Sequence, residues 1–117
     1  MSVAILHQTP PSSSPAGQEA LECAFAFSNL EKEVSMIFLD DGVFQLIKGQ
    51  ETTISGFKNH SKSYPALQFY DIEKLFVCQK SLQLRGLSKN DLCVEVELFE
   101  SDELIEILNQ YQHVVTF

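Results

Sequence analysis

Cys78 closes an apolar run, LFVC, and the stretch behind it, QKSLQLRG, reads as a short amphipathic helix ended by a glycine. A sulfur at such a strand-to-helix junction faces the unpaired N–H groups of the helix's first turn. Those groups, the helix dipole and the nearby Lys80 all favour thiolate over thiol. A thiolate is what a persulfide carrier requires, because it attacks a donor sulfur and is then attacked in turn. Cysteine is also among the most buried residue types, and a small apolar side chain ending a buried strand is its commoner use. Both readings of Cys78 stay open on the residues alone.

Asp40-Asp41, after the run VSMIFL, has the look of the acidic cluster with which receiver domains hold magnesium and accept a phosphoryl group. The lysine and threonine that such a site needs near its late strands are missing, and helix capping by Asp41 accounts for the pair more simply. The stretch PPSSSPAG offers hydroxyls ahead of a helix N-terminus, but lacks both GxxxxGK and GxGxxG and reads as a linker. His7, His60 and His113 stand far apart, without metal-ligand spacing, and no Ser, His and Asp constellation can be assembled. Neither a metal nor a cofactor is expected.

Composition bounds what these residues could serve. The chain has 117 residues, 44% hydrophobic with nine Phe and no Trp, which suits one domain over 1–117 with an aromatic-rich core. Sixteen acidic residues against eight basic ones give a formal charge of -8, and Arg85 is the sole arginine. Direct binding of nucleic acid is disfavoured, since such affinity rests largely on neutralising phosphates. Cys23, Cys78 and Cys93 are widely spaced and odd in number, fitting neither a disulfide framework nor a zinc site and pointing to a reducing compartment. MSVAILHQTPPSSS has no basic start, and its apolar run is too short for a signal peptide or membrane span. A cytoplasmic protein is expected.

The elements that must position Cys78 follow from periodicity. Val3 to His7 is a first strand, and Gln18 to Leu30, with apolar residues at 20, 23, 24, 27 and 30, is a helix packed on a sheet. Val34 to Leu39 is apolar on both parities, as a strand covered on two faces must be, and DDG opens a short helix, VFQLI. Residues 48–64 read as a long polar loop or interface segment, and Pro65 starts a helical turn leading to a strand over Lys74 to Val77. LCVEVELF alternates as a half-exposed strand near the sheet edge, with Leu92, Val94, Val96 and Leu98 on one face. Ser101 is a good N-cap for a helix with a stripe of Leu104, Ile107, Leu108 and Tyr111, and HVVTF closes the chain as a strand. Five strands alternating with helices imply an α/β fold, a three-layer sandwich on a mostly parallel five-stranded sheet, with its working edge beyond the carboxyl ends of the strands.

Several segments together resemble one family: GQEALECAFAFS, IFLDDGVFQLIKGQ, LQFYDIEKLFVCQKSLQLRGL and LNQYQHVVTF. They are similar to the DsrE/DsrF-like family across essentially the whole chain, and most to its DsrF-like, TusC-type branch. The resemblance implies a subunit of a cytoplasmic sulfur relay that passes persulfide sulfur for 2-thiolation of the wobble uridine of tRNA. It implies assembly with TusB-like and TusD-like subunits as a dimer of heterotrimers, and a TusE-like acceptor reached through that complex. In TusD-like relatives the reactive cysteine occupies the position of Cys78, whereas TusC-type subunits act as structural partners. Such a partner needs an exposed apolar patch, expected around VFQLI and ALQFYDI. The chain departs from the family in its serine-rich loop QTPPSSSPAG, where relatives carry histidine or glycine.

Overall fold

A computed structural model of the chain describes residues 2–8, 16–29, 33–47 and 74–117. The readings for 48–64, for the Pro65 turn with ALQFYDI, and for most of the loop QTPPSSSPAG lie outside these residues. Five strands, β1 (Ser2–His7), β2 (Glu33–Phe38), β3 (Lys74–Cys78), β4 (Glu97–Phe99) and β5 (His113–Thr116), form one sheet in the order β4-β3-β2-β1-β5. Every neighbouring pair runs parallel, with Phe38 level with Val77 and Cys78 level with Phe99. All five carboxyl ends therefore share one edge of the sheet.

The two faces bury different clusters, as a strand with apolar residues on both parities demands. Val3, Ile5, Val34, Met36, Phe38, Leu75 and Val77 meet Ala20 and Ala24 of helix α1 (Ala16–Asn29) on one face. Val43 and Leu46, from a 3-10 segment at Asp40–Leu46, and Leu82 of helix α2 (Gln79–Leu84) complete that layer. On the other face Ala4, Leu6, Ile37, Cys78 and Phe99 lie under Leu104, Ile107, Leu108 and Tyr111 around helix α3 (Leu104–Leu108). The predicted stripe is the stripe observed, although the helix is only five residues long and follows a 3-10 turn at Ser101–Glu103.

Other expectations are corrected. LCVEVELF is not one strand: Leu92 bridges antiparallel to Ile47 and the Cys93 N–H donates to the Leu46 carbonyl at 2.7 Å, so this backbone is tied to the 3-10 segment and the ladder with β3 begins only at Glu97. Phe99, not Leu98, faces inward there, because it lies level with Cys78 beneath α3, while Leu98 is 39% exposed. VFQLI is turned mostly inward: Val43, Gln45 and Leu46 are fully buried, and Phe44 and Ile47 are half-buried. Exposed apolar side chains occur instead at Leu84, Ile105 and Val114. Among the described residues no helix is long and apolar enough to cross a membrane.

Two glycines shape the elements around the site. A Cβ on Gly42 would collide with the carbonyl of His7, so the 3-10 segment lies directly on the end of β1 only because residue 42 has no side chain. Gly86 takes φ 68° just past α2, and the N–H groups of Gly86 and Leu87 return to the carbonyls of Gln83 and Leu82 at 3.1 and 2.9 Å. This pairing closes a short helix with a left-handed residue that glycine adopts without steric cost.

Candidate functional site

Cys78 is the last residue of β3 and the N-cap of α2, at the junction read from its sequence context. It is 5% exposed and forms part of the cluster with Leu6, Ile37 and Phe99. Burial alone pushes a thiol pKa up, and it does so here, but hydrogen bonding from Ser81, Ser101 and Lys80 outweighs it and holds the Cys78 thiol below its usual range. The donors are the Ser81 hydroxyl and N–H, the Ser101 hydroxyl and the Lys80 N–H. The Cys78 side chain closes no capping hydrogen bond at the start of α2. Lys80 contributes through its backbone and not its ammonium, which corrects the expectation of a helpful side-chain charge.

Ser101 enters from a different element. Its hydroxyl lies 3.6 Å from the Cys78 sulfur, within reach of a sulfur hydrogen bond. The sequence context gave Ser101 a capping role, but the turn is capped one residue earlier, where the Glu100 N–H donates to the Glu103 carboxylate at 2.9 Å. Freed from capping, Ser101 faces the sulfur. Nothing in the local pattern could reveal this, because it depends on β4 lying beside β3 with Phe99 level with Cys78.

The acidic pair has a structural job. Asp40 adopts φ 50° and its N–H donates to the Ser81 hydroxyl at 2.9 Å. Asp41 does not cap the segment; Leu39 holds that position without a side-chain bond. Asp41 instead accepts from Arg85 Nε and Nη2 at 3.1 and 3.0 Å, while Arg85 Nη1 donates to the Ser81 carbonyl at 3.1 Å. The guanidinium lies 5.9 Å from the Phe44 ring centroid, so one arginine clamps the 3-10 segment onto α2 just where Ser81 meets Cys78. Arg85 carried no role in the sequence analysis, since its carboxylate partner, Asp41, lies 44 residues upstream.

The remaining candidates do not converge on this point. His7 is fully buried and stacks on Phe38 at 5.8 Å, and His60 is outside the described residues. Cys23, half-buried on α1, has its pKa raised by burial, the opposite of Cys78. Among the described residues no three His, Cys, Asp or Glu side chains are grouped to hold a metal ion. A cleft of about 280 Å³, lined by Ser2, Glu33, Lys74 and Tyr111 among others, opens at the amino ends of the strands, on the edge opposite Cys78.

A profile of the DsrE/DsrF-like family matches residues 1–117. The Protein TusC homolog of Vibrio vulnificus (strain CMCP6) is 36% identical over 112 residues, spanning 96% of this chain and 95% of its own. The Protein TusC homolog of Pseudomonas aeruginosa (strain PAO1) is 35% identical over 115 residues, spanning 98% and 97%. Among solved structures, the ychN protein from E. coli superposes with a TM-score of 0.83 at 20% identity, covering 100% of this chain and 99% of its own. A protein of unknown function from Methanobacterium thermoautotrophicum, MTH1491, does so at 0.69 and 14%, covering 99% and 98%. These two structures speak to the fold alone. With the profile spanning every residue and relatives above 30% identity aligned along nearly their full length, the chain belongs to the DsrE/DsrF-like family.

Proposed function

We infer that the chain is a subunit of a cytoplasmic sulfur relay that passes persulfide sulfur toward 2-thiolation of the tRNA wobble uridine. Its part is mainly to build the assembly around a TusD-like carrier subunit, with a TusB-like subunit alongside and a TusE-like acceptor beyond. Family membership and the TusC homolog names of its relatives support the relay. The charge of -8 agrees with a subunit that leaves tRNA to others. The observation that carries the assembly role is the burial of Cys78, whose thiol pKa is lowered: at 5% exposure, beside Phe99 and beneath the α3 layer, it is withdrawn from a protein-borne sulfur. Co-expression with TusB-like and TusD-like chains, followed by native mass measurement, should return a dimer of heterotrimers. Recovery of this chain as a stable monomer in the presence of both partners would defeat the reading.

A second reading, an active carrier at Cys78, is favoured by the hydrogen bonds that hold its pKa down. In that reaction the Cys78 thiolate attacks the outer sulfur of a donor persulfide. The donor S–S bond breaks and releases the donor thiolate, and the bond re-forms as a persulfide on Cys78, with no net oxidation. After incubation with a low-molecular-weight persulfide, intact-mass measurement should show one added sulfur that Cys78→Ser abolishes and that Cys23→Ser and Cys93→Ser retain. Equal loading of all three variants would remove this second reading.

A further inference from the structure

We propose that Ser101 is a positioning residue for the Cys78 sulfur, its hydroxyl donating across the β3–β4 junction to hold that sulfur as the anion. The inference rests on reading Cys78 as a reactive thiol and names one of the groups that favour its ionised form. Ser101 Oγ stands 3.6 Å from Cys78 Sγ, and the pair is brought together from positions 23 apart by the level pairing of Cys78 with Phe99.

The direction of the bond follows from chemistry. Either atom of a thiol–hydroxyl pair donates weakly to the other, but a thiolate can only accept, and serine keeps its proton at any ordinary pH. The contact therefore strengthens when the sulfur ionises, which is how a neutral donor selects a charged form. Ser81 supports the same polarity: its oxygen already accepts the Asp40 N–H at 2.9 Å, leaving its own proton to be given away toward the sulfur. A persulfide formed on Cys78 is an anion of the same kind and would meet the same donors.

Among the described residues, charged groups do not supply this effect. Lys80 on α2, Asp40 and Asp41 after β2, and Glu100, Asp102 and Glu103 ahead of α3 surround the site but are all exposed, and Arg85 is committed to Asp41. Solvent screens such charges, whereas the sulfur is 5% exposed and feels its hydrogen-bond donors directly.

The test titrates the ultraviolet absorbance of the Cys78 thiolate in a Cys23→Ser/Cys93→Ser background, which does not depend on reagent access. In Ser101→Ala the thiolate population on the acid side of the midpoint should fall about 10-fold, the order expected for losing one hydrogen bond to a charged group. Ser101→Thr, which keeps the hydroxyl, should restore the parent curve. A Ser101→Ala curve that overlays the parent, with far-ultraviolet circular dichroism unchanged, overturns the proposal, as does a Thr variant that titrates like Ala. Ser101→Gly provides the same comparison if the alanine variant does not fold. If the alanine variant shifts while the parent takes up no sulfur from a persulfide donor, the role of Ser101 stands and only the carrier reading falls.

Discussion

Gly42→Ala adds one methyl group at the most crowded backbone approach beside the site. An ideal Cβ there would overlap the His7 carbonyl oxygen, stand 2.6 Å from the His7 carbonyl carbon and 3.1 Å from Gln8 Cα. All three are backbone atoms, so no side chain can swing aside. The same carbonyl accepts the Leu39 N–H at 3.1 Å, and His7 is fully buried and stacked on Phe38, which pins the strand end in place. Relief must come from lifting the whole 3-10 segment, with Val43 and Leu46, off the core. Overpacking costs about 1–3 kcal/mol where side chains can yield, and a backbone wall puts this case at about 3 kcal/mol. For a domain of this size that corresponds to a fall in Tm on the order of 10 °C. Gly86→Ala is the control: its Cβ meets nothing within 4 Å, so only φ 68° is strained, at about 1 kcal/mol. Thermal unfolding followed by circular dichroism compares the two. A Gly42→Ala protein that melts with the parent, or above Gly86→Ala, would refute the argument that this approach is sterically closed.

Tyr111→Phe removes the hydroxyl that donates to Ser35 Oγ at 2.7 Å and should lower stability in urea unfolding by about 1 kcal/mol. Ile105→Glu changes a side chain 72% exposed on α3, so unfolding should move by less than about 0.5 kcal/mol, while on the proposed assembly co-purification with TusB-like and TusD-like partners should drop. Cys78 makes stability depend on pH. Its folded pKa lies below the unfolded value, so its contribution is fully present above the unfolded pKa and is lost as pH falls through the folded one. The stability advantage of the parent over Cys78→Ser should therefore grow with rising pH across that window in urea titrations. Cys23 works in the opposite sense, because its raised pKa makes the folded state lose ground as pH climbs past the unfolded thiol's range, so Cys23→Ser should remove that loss.

What the chain determined by itself is the set of elements and the place of Cys78 among them. Apolar residues on both parities of β2 required a sheet covered on two faces, and the i, i+3, i+4 spacing of Ala20, Cys23, Ala24 and Phe27 required a helix. Both are local consequences of side-chain direction, legible wherever a period repeats. Cys78 at a strand-to-helix junction was legible for the same reason. Tertiary structure decided everything that needed two distant segments at once. LCVEVELF alternates like a strand, yet the backbone of Leu92 and Cys93 found partners at Ile47 and Leu46 and left the β3 ladder to three residues. Asp41, suited to capping by type, met Arg85 at the end of α2, and Ser101, equally suited, was brought to 3.6 Å from a sulfur. Capping residues are short, polar and versatile, so their local preference amounts to about 1 kcal/mol and yields to a charged or buried partner that only the folded chain brings within reach. The sequence thus located the sulfur, and the parallel register of β3 and β4 brought the Ser101 hydroxyl to its side.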